Sequence, residues 1–66
     1  MALVKIREVI GTSDISFEQA IDQILEYIKS DIRNASGIEI VSQKIKLIDN
    51  KPEYRVVAKY AYKWEK

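Results

Sequence analysis

Sixty-six residues, 47% of them apolar and 32% charged, make one small globular domain rather than a disordered chain. A formal charge of +1, from 11 basic and 10 acidic side chains, gives no electrostatic footprint for nucleic acid or an anionic membrane. Cysteine and histidine are both absent, which excludes disulfides, thiolate or imidazole zinc sites, and Cys–His or Ser–His catalytic pairs.

A domain of about 60 residues buries only about 60% of the surface its unfolded chain exposes, so its core alone is marginal. With disulfides and zinc excluded, oligomerisation is the staple that remains. No apolar run approaches the ~20 residues of a membrane span, and the N-terminus lacks the basic start and apolar run of a signal peptide. These features predict a cytoplasmic protein whose partners include neither membrane nor nucleic acid.

The alternation from Leu3 to Ile10 predicts a first strand, with Val4, Ile6 and Ile10 on one face and Lys5, Arg7 and Val9 on the other. Glu8 interrupts the apolar face and suggests a twist, a bulge or an edge. Gly11, Thr12, Ser13 and Asp14 then read as a turn. Ser16 opens a helix as one half of a capping box with Gln19. Phe17, Ala20, Ile21, Ile24, Leu25, Ile28 and Ile32 recur at helical spacing, predicting a helix over 17–34 about 27 Å long. Asn34, Ala35, Ser36 and Gly37 are expected to stop it, with Gly37 the left-handed residue.

A second strand is predicted over 38–48. Its apolar parity changes midway, from Ile38 and Ile40 to Val41, Ile45 and Leu47, so either a bulge lies near Ser42 and Gln43 or both faces are buried in an assembly. Asp49, Asn50, Lys51 and Pro52 form the hairpin connection. The last strand, 54–64, is the clearest element. Tyr54, Val56, Ala58, Tyr60, Tyr62 and Trp64 occupy one face, and Arg55, Val57, Lys59, Ala61 and Lys63 the other. The expected fold is α+β, one domain over 1–66. A three-stranded antiparallel sheet in the order β–α–β–β packs on one long helix, and its outer face carries Val9, Val57 and Ala61.

A short strand ending in Gly11, Thr12 and Ser13, a Phe-led helix, and two long strands, the last opening with Tyr54, together resemble dodecins from Val4 to Trp64. Dodecins are small proteins that assemble into hollow spheres of twelve subunits. The resemblance implies a homododecamer that binds and stores flavin, riboflavin or FMN, in stacked pairs between subunits, without turnover. It places Gly37 where the family has a stacking tryptophan and Arg55 where it has a glutamine that hydrogen-bonds the ring edge. Gly37, Ser42, Lys46 and Arg55 are accordingly the candidate ligand-binding residues of an inter-subunit pocket. Arg55 can stack its guanidinium on a ring or pair with a phosphate.

Trp64 reads as closing the core in register with Tyr60 and Tyr62, with a relocated stacking plate as the alternative. Tyr27 lies off the helix stripe, where an amphipathic aromatic suits a subunit contact. Arg55, Lys59 and Lys63, with Lys44 and Lys46 nearby, form either an anion site or a solvated face that pairs with Glu8 and Glu39. Glu18, Asp22 and Glu26 form an acidic ridge that is solvated in one subunit. Copies meeting on a rotation axis would offer oxygen ligands to magnesium or calcium in assembly channels. No catalytic constellation emerges, so the expectation is a non-enzyme. The alternative to a flavin-type store is a similar shell that does not bind flavin and serves as a structural, metal-binding or other small-ligand container.

Overall fold

The structure, a computed structural model, describes residues 2–30 and 35–65, and the side chains of all of these except Ala2, Trp64 and Glu65. Four elements follow in the order β1 (Ala2–Ser13), α1 (Phe17–Lys29), β2 (Ala35–Ile48) and β3 (Lys51–Glu65). The strands form one antiparallel sheet with β3 in the centre and β1 and β2 as edges. The β–α–β–β architecture is therefore the expected one.

Helix α1 begins as its residues dictate. Ser16 Oγ accepts from the Gln19 amide at 3.0 Å. The return half of the capping box is relayed through Ser13. Its buried Oγ accepts from the amides of Ile15 (3.0 Å) and Ser16 (3.3 Å), and its hydroxyl donates to Gln19 Oε1 (2.5 Å). One buried hydroxyl thus satisfies the amides of the N-cap residue and of the residue before it. The Gly11-Thr12-Ser13 segment is accordingly the end of β1 rather than a turn.

Ala20, Ile24 and Ile28 are buried against Val56, Ala58, Tyr60 and Tyr62, with Phe17, Ile21 and Val9 packed around them. Phe17 meets Tyr54 edge-on, ring centroids 5.1 Å apart. The even-numbered face of β3 is thus the core face, as its alternation requires. Helix and strand approach closely because Gly11 has no side chain. A Cβ there would lie 2.7 Å from the Ala20 carbonyl oxygen and 2.8 Å from Ile24 Cγ1.

Three expectations need correction. Helix α1 ends at Lys29, capped by Ser30, whose amide donates to the Glu26 carbonyl at 3.1 Å. The expected last turn, with Ile32 and Asn34, lies outside the described residues, but Gly37 does not stop a helix. It is a strand residue of β2 opposite Ala61, without positive φ. On β1 the faces are reversed. Val9 and Gly11 oppose Ala58 and Val56 on the helix side, whereas Val4, Ile6 and Ile10 point away from the helix and are more than half exposed. The hairpin is also tighter than expected, since Lys51 and Pro52 already pair with Ile48 and Leu47. Asp49 and Asn50 alone make the turn, with φ of 51° and 64°, the double positive φ of a type I′ connection.

The parity change in β2 is a bulge. Ile40 opposes Ala58 and Ser42 opposes Val57, leaving Val41 as the extra residue. A second irregularity leaves Ser36 between Ala35 and Gly37. The molecule is elongated, 51 × 18 × 14 Å, with a radius of gyration of 13.9 Å against about 11 Å for a compact chain of this length.

Candidate functional site

The face of the sheet away from α1 holds all four candidate ligand residues. In register across β1, β3 and β2 its rows are Thr12–Arg55–Lys44, Ile10–Val57–Ser42, Glu8–Lys59–Glu39 and Ile6–Ala61–Gly37, and Lys46 opposes Glu53 beyond the end of β1. Strand pairing puts neighbours in a row about 5 Å apart.

Ser42, Lys46 and Arg55 lie together near the hairpin end. Arg55 is the centre of that cluster. Its Nη2 donates to Glu53 Oε1 at 3.2 Å in a partly exposed ion pair, while its Nε is buried and has no hydrogen-bond partner among the described residues. Glu53 thus neutralises one edge of the guanidinium and leaves a donor in place. Lys44 stands beside it and the Thr12 hydroxyl on its other flank, so cations outnumber anions at this end. Such a group of donors is suited to a phosphate or carboxylate.

Gly37 is at the other end. Six residues of β3 separate the Arg55 and Ala61 rows, about 20 Å at roughly 3.3 Å per residue. One chain therefore does not bring Gly37 and Arg55 to a single small ligand. Around Gly37 lies a shallow cleft of about 270 Å³ whose lining includes Ile6, Ala61, Glu39 and Lys59. A Cβ on Gly37 would meet nothing within 4 Å, so the space a larger side chain would fill is open.

A stacked flavin needs a flat aromatic partner, and this face does not supply one. Among the described residues its side chains are aliphatic, small or charged. Tyr54, Tyr60 and Tyr62 stand on the helix side, and Phe17 and Tyr27 belong to α1. The residues present do not fit a ligand held by ring stacking. The side chain of Trp64 lies outside the described residues, so neither reading of it is tested.

Lys59 sits between Glu8 and Glu39 on neighbouring strands, the arrangement of a solvated, charge-balanced row. The Thr12–Arg55–Lys44 row holds no acid of its own, and Arg55 is paired on one edge only, by Glu53, which sequence alone did not distinguish. The ridge of Glu18, Asp22 and Glu26 is exposed, and among the described residues no group of three or more metal-ligating side chains is placed to hold a cation. Tyr27 is exposed beside the β1 edge, lining a groove of about 370 Å³ with Gln23 and Gly11. Among the described residues no helix is long and apolar enough to cross a membrane.

A family model described as Dodecin matches residues 3–65. Similar solved structures include calcium dodecin of Mycobacterium tuberculosis, a calcium-chelating immunodominant antigen with a novel calcium-binding site. It has a TM-score of 0.82 and 22% identity over 96% of this chain and 91% of that one. An arginine-to-alanine variant of T. thermophilus dodecin aligns with a TM-score of 0.80 and 24% identity over all of both chains. Dodecin from Streptomyces coelicolor gives 0.80 and 20% over 98% and 94%. No curated protein sequence matches the chain.

Proposed function

The chain belongs to the dodecin family, and on that premise we propose that it is the subunit of a hollow, self-assembled cytoplasmic shell that binds a small ligand without turnover. The observation that carries this reading is a pair of uncovered apolar surfaces. Val4, Ile6 and Ile10 lie on the outer face of one edge strand, and Ile38, Ile40, Ile45 and Leu47 on the helix side of the other. Monomers rarely leave this many large aliphatic side chains exposed on both faces of one sheet. Two patches on opposite faces ask for two kinds of contact, which assemblies with more than one symmetry axis provide.

The ligand bears a phosphate or another anionic group. Arg55, Lys44 and Lys46 supply the donors, with Ser42 beside them, and Gly37 would enter the same pocket from a neighbouring copy. Riboflavin binds weakly or not at all, because a missing plate forfeits about 1–3 kcal/mol per ring face on the base-stacking scale. FMN binds better than riboflavin. Magnesium or calcium, if held, would sit where copies of Glu18, Asp22 or Glu26 converge on a rotation axis.

Native mass spectrometry tests subunit number and retained ligand together. The expected particle is twelve copies of the 7.7 kDa chain, about 92 kDa, with any extra mass from an anionic small molecule. A monomer at micromolar concentration would refute the shell, and a tightly retained uncharged ring would refute the ligand class.

A further inference from the structure

Glu53 stands among the donors assigned to the ligand, not behind them. Lys51, Glu53 and Arg55 share one face of β3, and on β2 Lys46 opposes Glu53 while Lys44 opposes Arg55. The contact that Glu53 makes is a weak one. Its Oε1 accepts from Arg55 Nη2 at 3.2 Å, against about 2.7–2.9 Å for a strong charge-assisted bond. The arginine side chain is 37% exposed and the glutamate side chain 28%, so water competes for the pair. Nε lies on the same edge of the guanidinium as Nη2, is buried, and has no hydrogen-bond partner among the described residues. Glu53 thus takes one N–H of that edge and leaves the other unmatched, whereas a phosphate or carboxylate group can accept from both in parallel. An anion can do so only in Glu53's place.

We propose that Glu53 is a built-in competitor for Arg55, displaced when an anionic ligand binds, a proposal that rests on the anion site inferred above. The displaced carboxylate has somewhere to go. At the hairpin end lies a recess of about 510 Å³ whose lining includes Thr12, Asp49, Lys51 and Glu53 itself. Lys51 offers a second cation there, so release of Arg55 does not leave the carboxylate without a counter-charge. The competitor makes binding depend on the charge of the ligand. A neutral ligand makes no ion pair with Arg55 and has no reason to displace Glu53. A phosphate replaces one long bond by two and brings its charge beside Lys44 and Lys46. While Glu53 competes, that phosphate is held less tightly than three cations alone would hold it, and it leaves the more readily.

The test is a fluorescence titration of FMN and riboflavin against the unsubstituted protein, Glu53→Gln and Asp49→Asn, with circular dichroism confirming the fold of each. Glu53→Gln keeps the shape of the side chain and removes its charge. It should bind FMN about fivefold more tightly, the equivalent of one partly exposed charge pair, and leave riboflavin unchanged. Asp49→Asn removes an equal charge from the same recess, at a positive φ that asparagine also adopts, and from a carboxylate of the turn rather than the one on Arg55. It should change FMN affinity by less than about twofold. Equal gains from the two variants would show that Glu53 acts only as a general negative charge. A loss of FMN affinity in Glu53→Gln would show that the carboxylate positions Arg55 for the ligand. Either result, or no change at all, would overturn the competitor and leave the anion site standing. FMN binding by neither the unsubstituted protein nor Glu53→Gln would overturn both.

Discussion

Replacing Gly11 by alanine isolates the contact that holds α1 on the sheet. Gly11 has no positive φ, so alanine adopts its backbone without strain and by itself should stabilise the chain by about 0.4–1 kcal/mol through the unfolded state. Against this stands the new methyl group, 2.7 Å from the Ala20 carbonyl oxygen and 2.8–3.0 Å from two Ile24 carbons. The tip of Ile24 can rotate away. The carbonyl belongs to the helix backbone, so the whole of α1 must lift from β1, with overpacking costs of about 1–3 kcal/mol. The net expectation is a loss of roughly 1–2 kcal/mol. Gly37→Ala is the matched control, because its methyl group meets open space and only the favourable term applies. Urea denaturation followed by circular dichroism, at one protein concentration for all three chains, reads the difference. A Gly11→Ala chain as stable as Gly37→Ala would refute close approach as the reason for this glycine.

Ile24 is 3% exposed, and Ile24→Ala should cost about 2–5 kcal/mol, whereas Lys29→Ala on the exposed side should change stability by no more than about 0.5 kcal/mol; the same denaturation experiment compares them. Ser13→Ala should cost about 1–3 kcal/mol, seen in the same assay, because the amides of Ile15 and Ser16 lose their acceptor and Gln19 its donor. Fluorescence titration should give weak or no riboflavin binding and tighter binding of FMN, and Gly37→Trp should strengthen both if the pocket is otherwise intact. Arg55→Ala should weaken FMN by about tenfold or more while leaving riboflavin unchanged, and equal losses would show that Arg55 does not contact the phosphate.

Much of the fold was legible because each element carried its own period. The Ser16–Gln19 start, the aromatic face of β3 and the parity change in β2 are local signals, and local chemistry decides them. The side of β1 that meets the helix was not legible. Val4, Ile6 and Ile10 form the more apolar face, and apolarity reports that a surface will be covered without saying by which chain. Here the helix takes the other face, because only Gly11 admits its backbone. The end of α1 was misread for a related reason. Asn-Ala-Ser-Gly has the composition of a helix stop, yet pairing with β3 places Gly37 in the sheet. At the site, residue types were readable but their spacing was not. The separation of Gly37 from Arg55 follows from strand register.

The Val41 bulge has a consequence of its own for β2. A strand is read in steps of two, and the extra residue advances that reading by one, so the lysines beyond it face one way and the isoleucine and leucine the other. Pairing β2 without the bulge, with Val41 rather than Ser42 opposite Val57, would slip every later residue by one and exchange the two sets, whereas deleting Val41 would leave them as they are. In the slipped pairing Lys44 and Lys46 would stand on the helix side, and Ile45 and Leu47 on the face proposed for the ligand. Length in this strand therefore carries information that composition does not. Substitutions along it alter one surface at a time, whereas a one-residue slip in pairing alters both surfaces at once.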